Sequence, residues 1–353
     1  MAGILVYLNR DTIFEPLRGI FSRVTTTTDD EAGFPVNMPS STDYKFNCLG
    51  DGFSLLTDTY LYTYNGEGVQ NFALQHGYVN PVCDTNSKRV LIYDKGGSDF
   101  ALYNRTSEIY KQSIEDEVIV SAFLSENEYS AIVTSGGHYS NVIYIYNGNG
   151  EELDVYKYID EKVMQIAFSP DERYLYVALA KSQEGDIVTR VSKYEIGNDE
   201  GHLWNCEITD SISFELSFTN DKVLVITDEK ITSVNSADGT VLSSYEYKGT
   251  LNDYYIENSN CVLILRNNSE KSKILMMDDS CSVVADISTD DKIKDVAIDD
   301  EKVVVLTSKG VVLYDMNLDM ISNRDFEDEY IQMIKNGSNL LLMGGSHIDC
   351  IKI

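Results

Sequence analysis

One unit recurs along the whole chain: an apolar run, a short polar break, and a second run that ends in a turn of the Tyr-Asn or Tyr-Asp kind. It occupies Phe53–Tyr64, Arg89–Tyr103, Tyr129–Tyr146, Tyr174–Tyr194, Lys222–Val234, Cys261–Met277, Lys302–Tyr314 and Leu340–Ile353. The unit starts lie 36, 40, 45, 48, 39, 41 and 38 residues apart, a mean of about 41, which is the period of a four-stranded propeller blade. A repeat of this size cannot bury its apolar face alone and must stack on its neighbours.

The runs are rich in Val, Ile, Leu, Tyr and Thr, as in Val223–Thr227 and Val303–Thr307, and the breaks carry Gly, Asn and Asp, as in Asn65–Gly68, Asn147–Gly150 and Ala237–Gly239. That composition predicts strands and tight turns. With strands labelled a to d from the inside out, the paired runs are b and c, preceded by a strands such as Val163–Phe168 and Asp295–Ile298. The fold expected is therefore all-β, a β-propeller of four-stranded blades, with eight blades preferred over seven. The eighth unit stops at Ile353 in strand c, so its outer strand must come from elsewhere or leave an unpaired edge. The alternating segment Phe34–Met38, which leads into a first a strand at Tyr44–Leu49, is expected to close the ring as strand d of blade 8. Ile20–Thr26 is the second candidate for that role.

Residues 1–33 differ from the rest, and the propeller domain is assigned to 34–353. Met1–Leu8 is an apolar run of eight residues that stops at Asn9-Arg10, too short to cross a bilayer. It reads either as a short packed element or as the end of a membrane helix with Arg10 as its interfacial anchor. Ile13, Phe14, Leu17, Ile20 and Phe21 form the stripe of an amphipathic helix, and Thr25–Asp30 forms a polar spacer.

Charge excludes whole classes of partner. With 28 Lys and Arg against 57 Asp and Glu, the net charge is −29, and a polyanion would be repelled at long range. Nucleic acid is not expected as a partner, and anionic lipid headgroups are disfavoured too. The six cysteines form no CxxC pair, so zinc-ribbon and thioredoxin-like readings fail. No G-x-S-x-G, no phosphate-binding lysine loop and no dinucleotide fingerprint occurs. A single tryptophan, Trp204, rules out a WD repeat and the repeated docking tryptophans of quinoprotein dehydrogenases. No cofactor is expected.

In a propeller the d-to-a connections and the b–c turns share one face, around the mouth of the central channel. That face is expected to carry His76, Tyr78, Asn80, Tyr93 and Asp94 as ligand-binding candidates. His138 and His347 fall in b–c turns, and together with His76 they form a candidate metal set, because three imidazoles can hold zinc. Hydrogen bonding from His76 and Asp94 that locks two blades together is the simpler role. Paired carboxylates at Asp278-Asp279, Asp290-Asp291 and Asp299–Glu301 read as solvated turns. Tyrosine pairs at i, i+2 such as Tyr60-Tyr62 and Tyr144-Tyr146 each share one sheet face and add amphipathic rings suited to protein or glycan contact.

Two resemblances sharpen this. Ala167–Ala178, with Phe168-Ser169-Pro170-Asp171, resembles the FSPDG-type a–b hairpin of many propellers, although Glu172 stands where glycine is usual. The segments Gly33–Val36, Leu56–Tyr62, Gln75–Tyr78 with Asn80-Pro81, and Val90–Gly97 resemble an uncharacterised family of Gram-positive bacteria. Its members carry a propeller-shaped domain of unknown function tethered by one N-terminal membrane helix. The resemblance implies an extracytoplasmic propeller on a single-pass anchor, and it implies no activity. The resulting expectation is a non-enzymatic, membrane-tethered extracellular module that binds a protein or an envelope polymer through its channel face. A metal-assisted hydrolase or lyase using His76, His138 and His347 is one alternative. A cytosolic propeller scaffold is the other.

Overall fold

Strands are the only regular elements among the described residues, and they pair into eight separate four-stranded antiparallel sheets. The computed structural model describes residues 33–352 apart from 42, 184, 199–200 and 267–270. The apolar run 1–8, the stripe 13–21, the second strand candidate 20–26 and the spacer 25–30 lie outside the described residues. Among the described residues no helix is long and apolar enough to cross a membrane.

Blade 1 consists of Tyr44–Leu49, Gly52–Thr57, Tyr60–Tyr64 and Gln70–Gln75. Blades 2 to 7 follow in chain order over 81–113, 118–158, 162–209, 213–246, 250–289 and 293–325. Blade 8 takes its three inner strands from 330–352 and its outer strand from Val36–Asn37, which pairs with Ile348 and His347. The eight sheets form a ring, an eight-bladed β-propeller. The closing strand is shorter than the Phe34–Met38 expected, because Pro35 and Pro39 have no N–H to give a ladder. The Met38 N–H still donates to Ser346 O at 2.9 Å.

The b strands are covered on both faces, which is why they read as continuous apolar runs. Val223–Ile226 and Leu340–Leu342 are fully buried. Side chains of one blade interlock with the next: Ala131, Val133 and Ile143 of blade 3 pack with Val163, Leu175 and Val177 of blade 4.

Four of the c–d turns, those of blades 1, 3, 6 and 7, share one design. Asn65 Oδ1 accepts the N–H groups of Glu67 and Val69, and Asn147 does the same for Asn149 and Glu151. Asp278 caps Ser280 and Ser282, and Asp315 caps Asn317 and Asp319. Such Asx caps satisfy turn donors locally. The fourth residue of each turn has positive φ: Gly68, Gly150, Cys281 and Leu318.

At three left-handed glycines of the c–d turns, Gly68, Gly150 and Gly239, an aromatic ring from the preceding blade lies on the backbone. A Cβ on Gly150 would sit 2.9 Å from Tyr110 Cγ, and one on Gly239 would sit 2.6 Å from Trp204 Cε3. One on Gly68 would sit 3.0 Å from Phe34 Cε2. A repeat of docking tryptophans is absent, as the single Trp requires, but Tyr110, Trp204 and Phe34 make the same contact in blades 2, 4 and 8.

Polar side chains on the a strands stitch neighbouring blades around the channel. Asp84 Oδ2 accepts the Leu124 N–H at 2.7 Å, Asp295 Oδ2 accepts the Met333 N–H at 2.8 Å, and Gln332 Nε2 donates to Phe46 O at 3.0 Å. Burial pushes both aspartates up to about 6, against the pull of the two backbone N–H groups each accepts. A carboxyl whose folded value is raised keeps its proton in the native state after the unfolded chain has released it. Stability from these two groups is therefore present below about pH 4 and lost as pH rises to about 6. His76, held low mainly by burial, acts in the opposite direction, removing stability as pH falls below its ordinary value. Denaturant titrations of the parent and of Asp84→Asn, Asp295→Asn and the double variant should isolate the carboxyls. The fall in stability between pH 4 and 6, of order 2 kcal/mol per group, should be smaller in each single variant and smallest in the double. Identical slopes would show that the two carboxyls are not buried as described.

The a–b turn of blade 4 carries the departure from the hairpin signature. Glu172 adopts φ +55 without being glycine. Its carboxylate accepts the N–H groups of Asn127 at 2.6 Å and Glu128 at 3.0 Å, both in the matching turn of blade 3. The clasp between blades offsets a left-handed backbone that costs about 1–2 kcal/mol for an L-residue.

Candidate functional site

The connections from strand d to the next strand a and the b–c turns lie on one face, as the strand order requires. On it, residues 76–80 join blade 1 to blade 2 and abut the b–c turn of blade 2. His76 Nε2 lies 3.1 Å from Thr57 O and its ring stacks on Tyr78 with centroids 5.5 Å apart. Asp94 Oδ1 accepts the N–H groups of Val79 at 3.1 Å and Asn80 at 2.8 Å. The Asn80 amide donates to Lys95 O at 3.3 Å, and Lys95 N–H donates to Asn80 O at 2.9 Å.

The network ties the connection to blade 1 through His76 and to blade 2 through Asp94. Tyr78 and Tyr93 are buried, and burial drives the Tyr78 phenol far above its ordinary value. His76 is half-buried, and the only exposed members of the connection at this point are Gly77, Val79 and Asn80, with Val79 91% exposed.

The three imidazoles of the metal expectation are not brought together. His76 is bonded within the blade 1–2 brace, exposed His138 lies in the b–c turn of blade 3, and His347 Nε2 sits 2.8 Å from Asp349 Oδ2 in blade 8. Among the described residues, no group of three or more His, Cys, Asp or Glu side chains is arranged to hold a metal ion. Each ring already has its own partner or its own blade, which a list of loop histidines cannot reveal.

The irregular feature of this face is elsewhere. Strands b and c of blade 4, Tyr174–Gln183 and Asp186–Glu195, are 10 residues each, against 6 in blades 2, 5 and 7. Their hairpin stays paired out to Gln183 and Asp186 and projects beyond its neighbours. Between it and residues 157–161, the end of blade 3 and its connection to blade 4, lies a cleft of about 510 Å³. Arg190 of blade 4 forms an ion pair with Glu161 of that connection across the cleft, and Lys181 pairs with Glu207. Lys157 Nζ lies 5.4 Å from the centroid of the Tyr139 ring. Tyr158 OH donates to Tyr194 OH at 3.2 Å on the cleft wall, and Ile159 is 66% exposed at its rim. A large exposed aliphatic at the rim of a groove with a mixed polar wall suits a partner surface better than a small apolar ligand. The signal for this site was the 48-residue spacing from Tyr174 to Lys222, the longest in the repeat.

The opposite face has a second groove, of about 400 Å³, between the a–b turns of blades 3 and 4. Its wall includes Glu128, Asp171, Glu172, Arg173 and Glu195, and Arg173 pairs with Glu195 at 3.1 Å. It is the surface of the Glu172 clasp.

Several solved structures share this architecture. BamB from Moraxella catarrhalis superposes with a TM-score of 0.60 at 9% identity, covering 87% of this chain and 96% of its own. Saccharomyces cerevisiae Sqt1 gives 0.64 at 11% identity, covering 91% and 98%. The C-terminal WD40 domain of Sif2 gives 0.63 at 11%, covering 91% and 97%. At such identities the likeness is one of fold alone. Among curated proteins, none matches the chain in sequence. A sequence-family model does match, over residues 25–353, and the chain belongs to that family of unknown function, DUF5711.

Proposed function

We propose that this propeller is a binding module, held at the outer face of the cell membrane by its N-terminal segment, which takes a protein partner at the cleft between blades 3 and 4. The observation that carries the reading is the blade 4 hairpin. In a repeat array, an insertion confined to one blade has no part in closing the ring, and such insertions map to the binding face. The exposed Ile159, the ion-paired cleft wall and a repeat scaffold in which residues 76–94 brace blades support binding. The acidic surface, at −29, favours a partner with basic residues around an apolar contact. The apolar start Met1–Leu8 supports the tether.

A photo-crosslinking residue at position 159, compared with one at the outer-edge residue Val241, tests this in intact cells. The expected result is a discrete protein adduct from position 159 that disappears when residues 182–187 are replaced by an Asn-Gly turn. The reading is overturned by equal adducts at both positions, by none, or by an adduct that is a protease-resistant polymer. The tether is tested by whether an impermeant thiol reagent reaches the Ile159→Cys chain on whole cells.

A further inference from the structure

Blade 8 holds a charged group where its sister blades hold none. Asp349 lies in strand c opposite Leu342 and is 1% exposed. The matching residues of blades 3 to 7, opposite Ile132, Val177, Val225, Leu263 and Val305, are Tyr144, Ser192, Thr232, Leu275 and Val312. The fold therefore has no need of a carboxylate there. Burying one is costly unless it is paired, and among the described residues Asp349 Oδ1 has no hydrogen-bond partner.

Its other oxygen is engaged twice. Asp349 Oδ2 accepts the Tyr330 phenol at 2.6 Å and lies 2.8 Å from His347 Nε2. The far ring nitrogen, His347 Nδ1, is 3.0 Å from the Oγ of exposed Ser346. Read in series, a hydroxyl meets an imidazole, and the imidazole is held on its other nitrogen by a buried carboxylate. That is the arrangement of an activated nucleophile: a hydroxyl, a base within reach, and a third group that fixes the base's tautomer and stabilises its cation. With Nε2–H directed to Asp349, Nδ1 is left free to take the Ser346 proton. The turn is open, since a Cβ on Gly345 would meet no atom within 4 Å.

We propose that Ser346 is a nucleophile for acyl transfer from accessible esters, with His347 as its base and Asp349 and Tyr330 as positioning residues. As Ser346 Oγ bonds to the ester carbonyl carbon, its proton passes to His347 Nδ1. The same proton is then given to the alkoxide as the ester C–O bond breaks. Water, deprotonated by Nδ1, attacks the acyl-serine and releases a carboxylic acid, restoring the hydroxyl. The inference goes beyond the binding role and does not depend on it, because it concerns blade 8 rather than the cleft. His347 enters as a base, not as the metal ligand expected from its position in a turn.

The test is covalent labelling of the full chain with a fluorophosphonate, in which the Oγ–P bond forms, fluoride leaves and the proton goes to His347. Mass analysis should place one phosphonyl group on Ser346, and Ser346→Ala should abolish it. His347→Gln should slow labelling at least ~100-fold while the chain unfolds at the same denaturant concentration. Asp349→Asn and Tyr330→Phe should each move the pH midpoint of labelling, which a merely structural role would leave in place. No labelling of Ser346, labelling spread over other serines, or an unchanged rate in folded His347→Gln would each overturn the proposal.

Discussion

A chain carrying Phe34→Ala is expected to lose about 3–5 kcal/mol of stability, the range for emptying a well-packed aromatic site. The reason is its place in the ring. Phe34 is 8% exposed and precedes the strand that joins the start of the propeller to its end. Its ring packs 6.4 Å from Phe53 of blade 1, and its edge lies on Gly68 in the c–d turn of that blade. It shares a core with Leu341, Met343 and Ile348 of blade 8. The backbone pairing of Val36 and Asn37 covers two residues, so most of the closure rests on side chains. Chemical denaturation of the variant against Met38→Ala, which removes a half-buried side chain at the far end of the closing segment, is the check. A loss below about 1 kcal/mol for Phe34→Ala would mean that blade 8 is held by something other than its N-terminal partner.

The same residues show what could be read in advance. The closing segment was legible because the repeat count left blade 8 one strand short and the alternating segment Phe34–Met38 leads directly into blade 1, ahead of the second candidate Ile20–Thr26. The c–d turns were legible as Tyr-Asn and Tyr-Asp breaks, since the Asx side chain is what caps the turn, as at Asn147 and Asp315. Glu172 was less so: a left-handed residue with a side chain depends on partners in another blade, here Asn127 and Glu128, which lie 44–45 residues away.

The functional face was harder. His76 and Asp94 were found because they are polar residues in predicted loops, yet their hydrogen bonds turn back onto Thr57, Val79 and Asn80. Periodicity places a residue on a face but says nothing of where its side chain finds a partner. The blade 4 hairpin did leave a trace in the spacing. Asp349 left none, because an aspartate within the run His347-Ile348-Asp349-Cys350-Ile351 looks like an ordinary interruption until its sister positions are aligned in space.

Gly239→Ala is expected to cost about 2–5 kcal/mol, and the part beyond the backbone's about 1–2 kcal/mol should vanish when Trp204 is removed. Two effects add at this position. The backbone sits at φ +77, which an L-residue adopts at about 1–2 kcal/mol. The new Cβ would also lie 2.6 Å from Cε3 and 2.8 Å from Cδ2 of the Trp204 indole. That ring cannot retreat easily, since its Nε1–H donates to Ser236 O at 3.2 Å and its face is packed among Tyr176, Val223 and Val225. Overpacking of this kind costs about 1–3 kcal/mol. The same Ser236 carbonyl also accepts the Tyr176 hydroxyl at 3.1 Å and the Lys193 ammonium at 2.9 Å, so a shift of the turn would loosen three bonds between blades 4 and 5 at once. The measurement is a double-mutant cycle by denaturant unfolding with Trp204→Ala. If the contact is as described, Gly239→Ala in the Trp204→Ala background should cost only the backbone part, about 1–2 kcal/mol, leaving a coupling of at least about 1 kcal/mol. Additive effects would mean that the indole does not rest on the glycine, and that the matching contacts of Tyr110 on Gly150 and Phe34 on Gly68 are not what draws successive blades together.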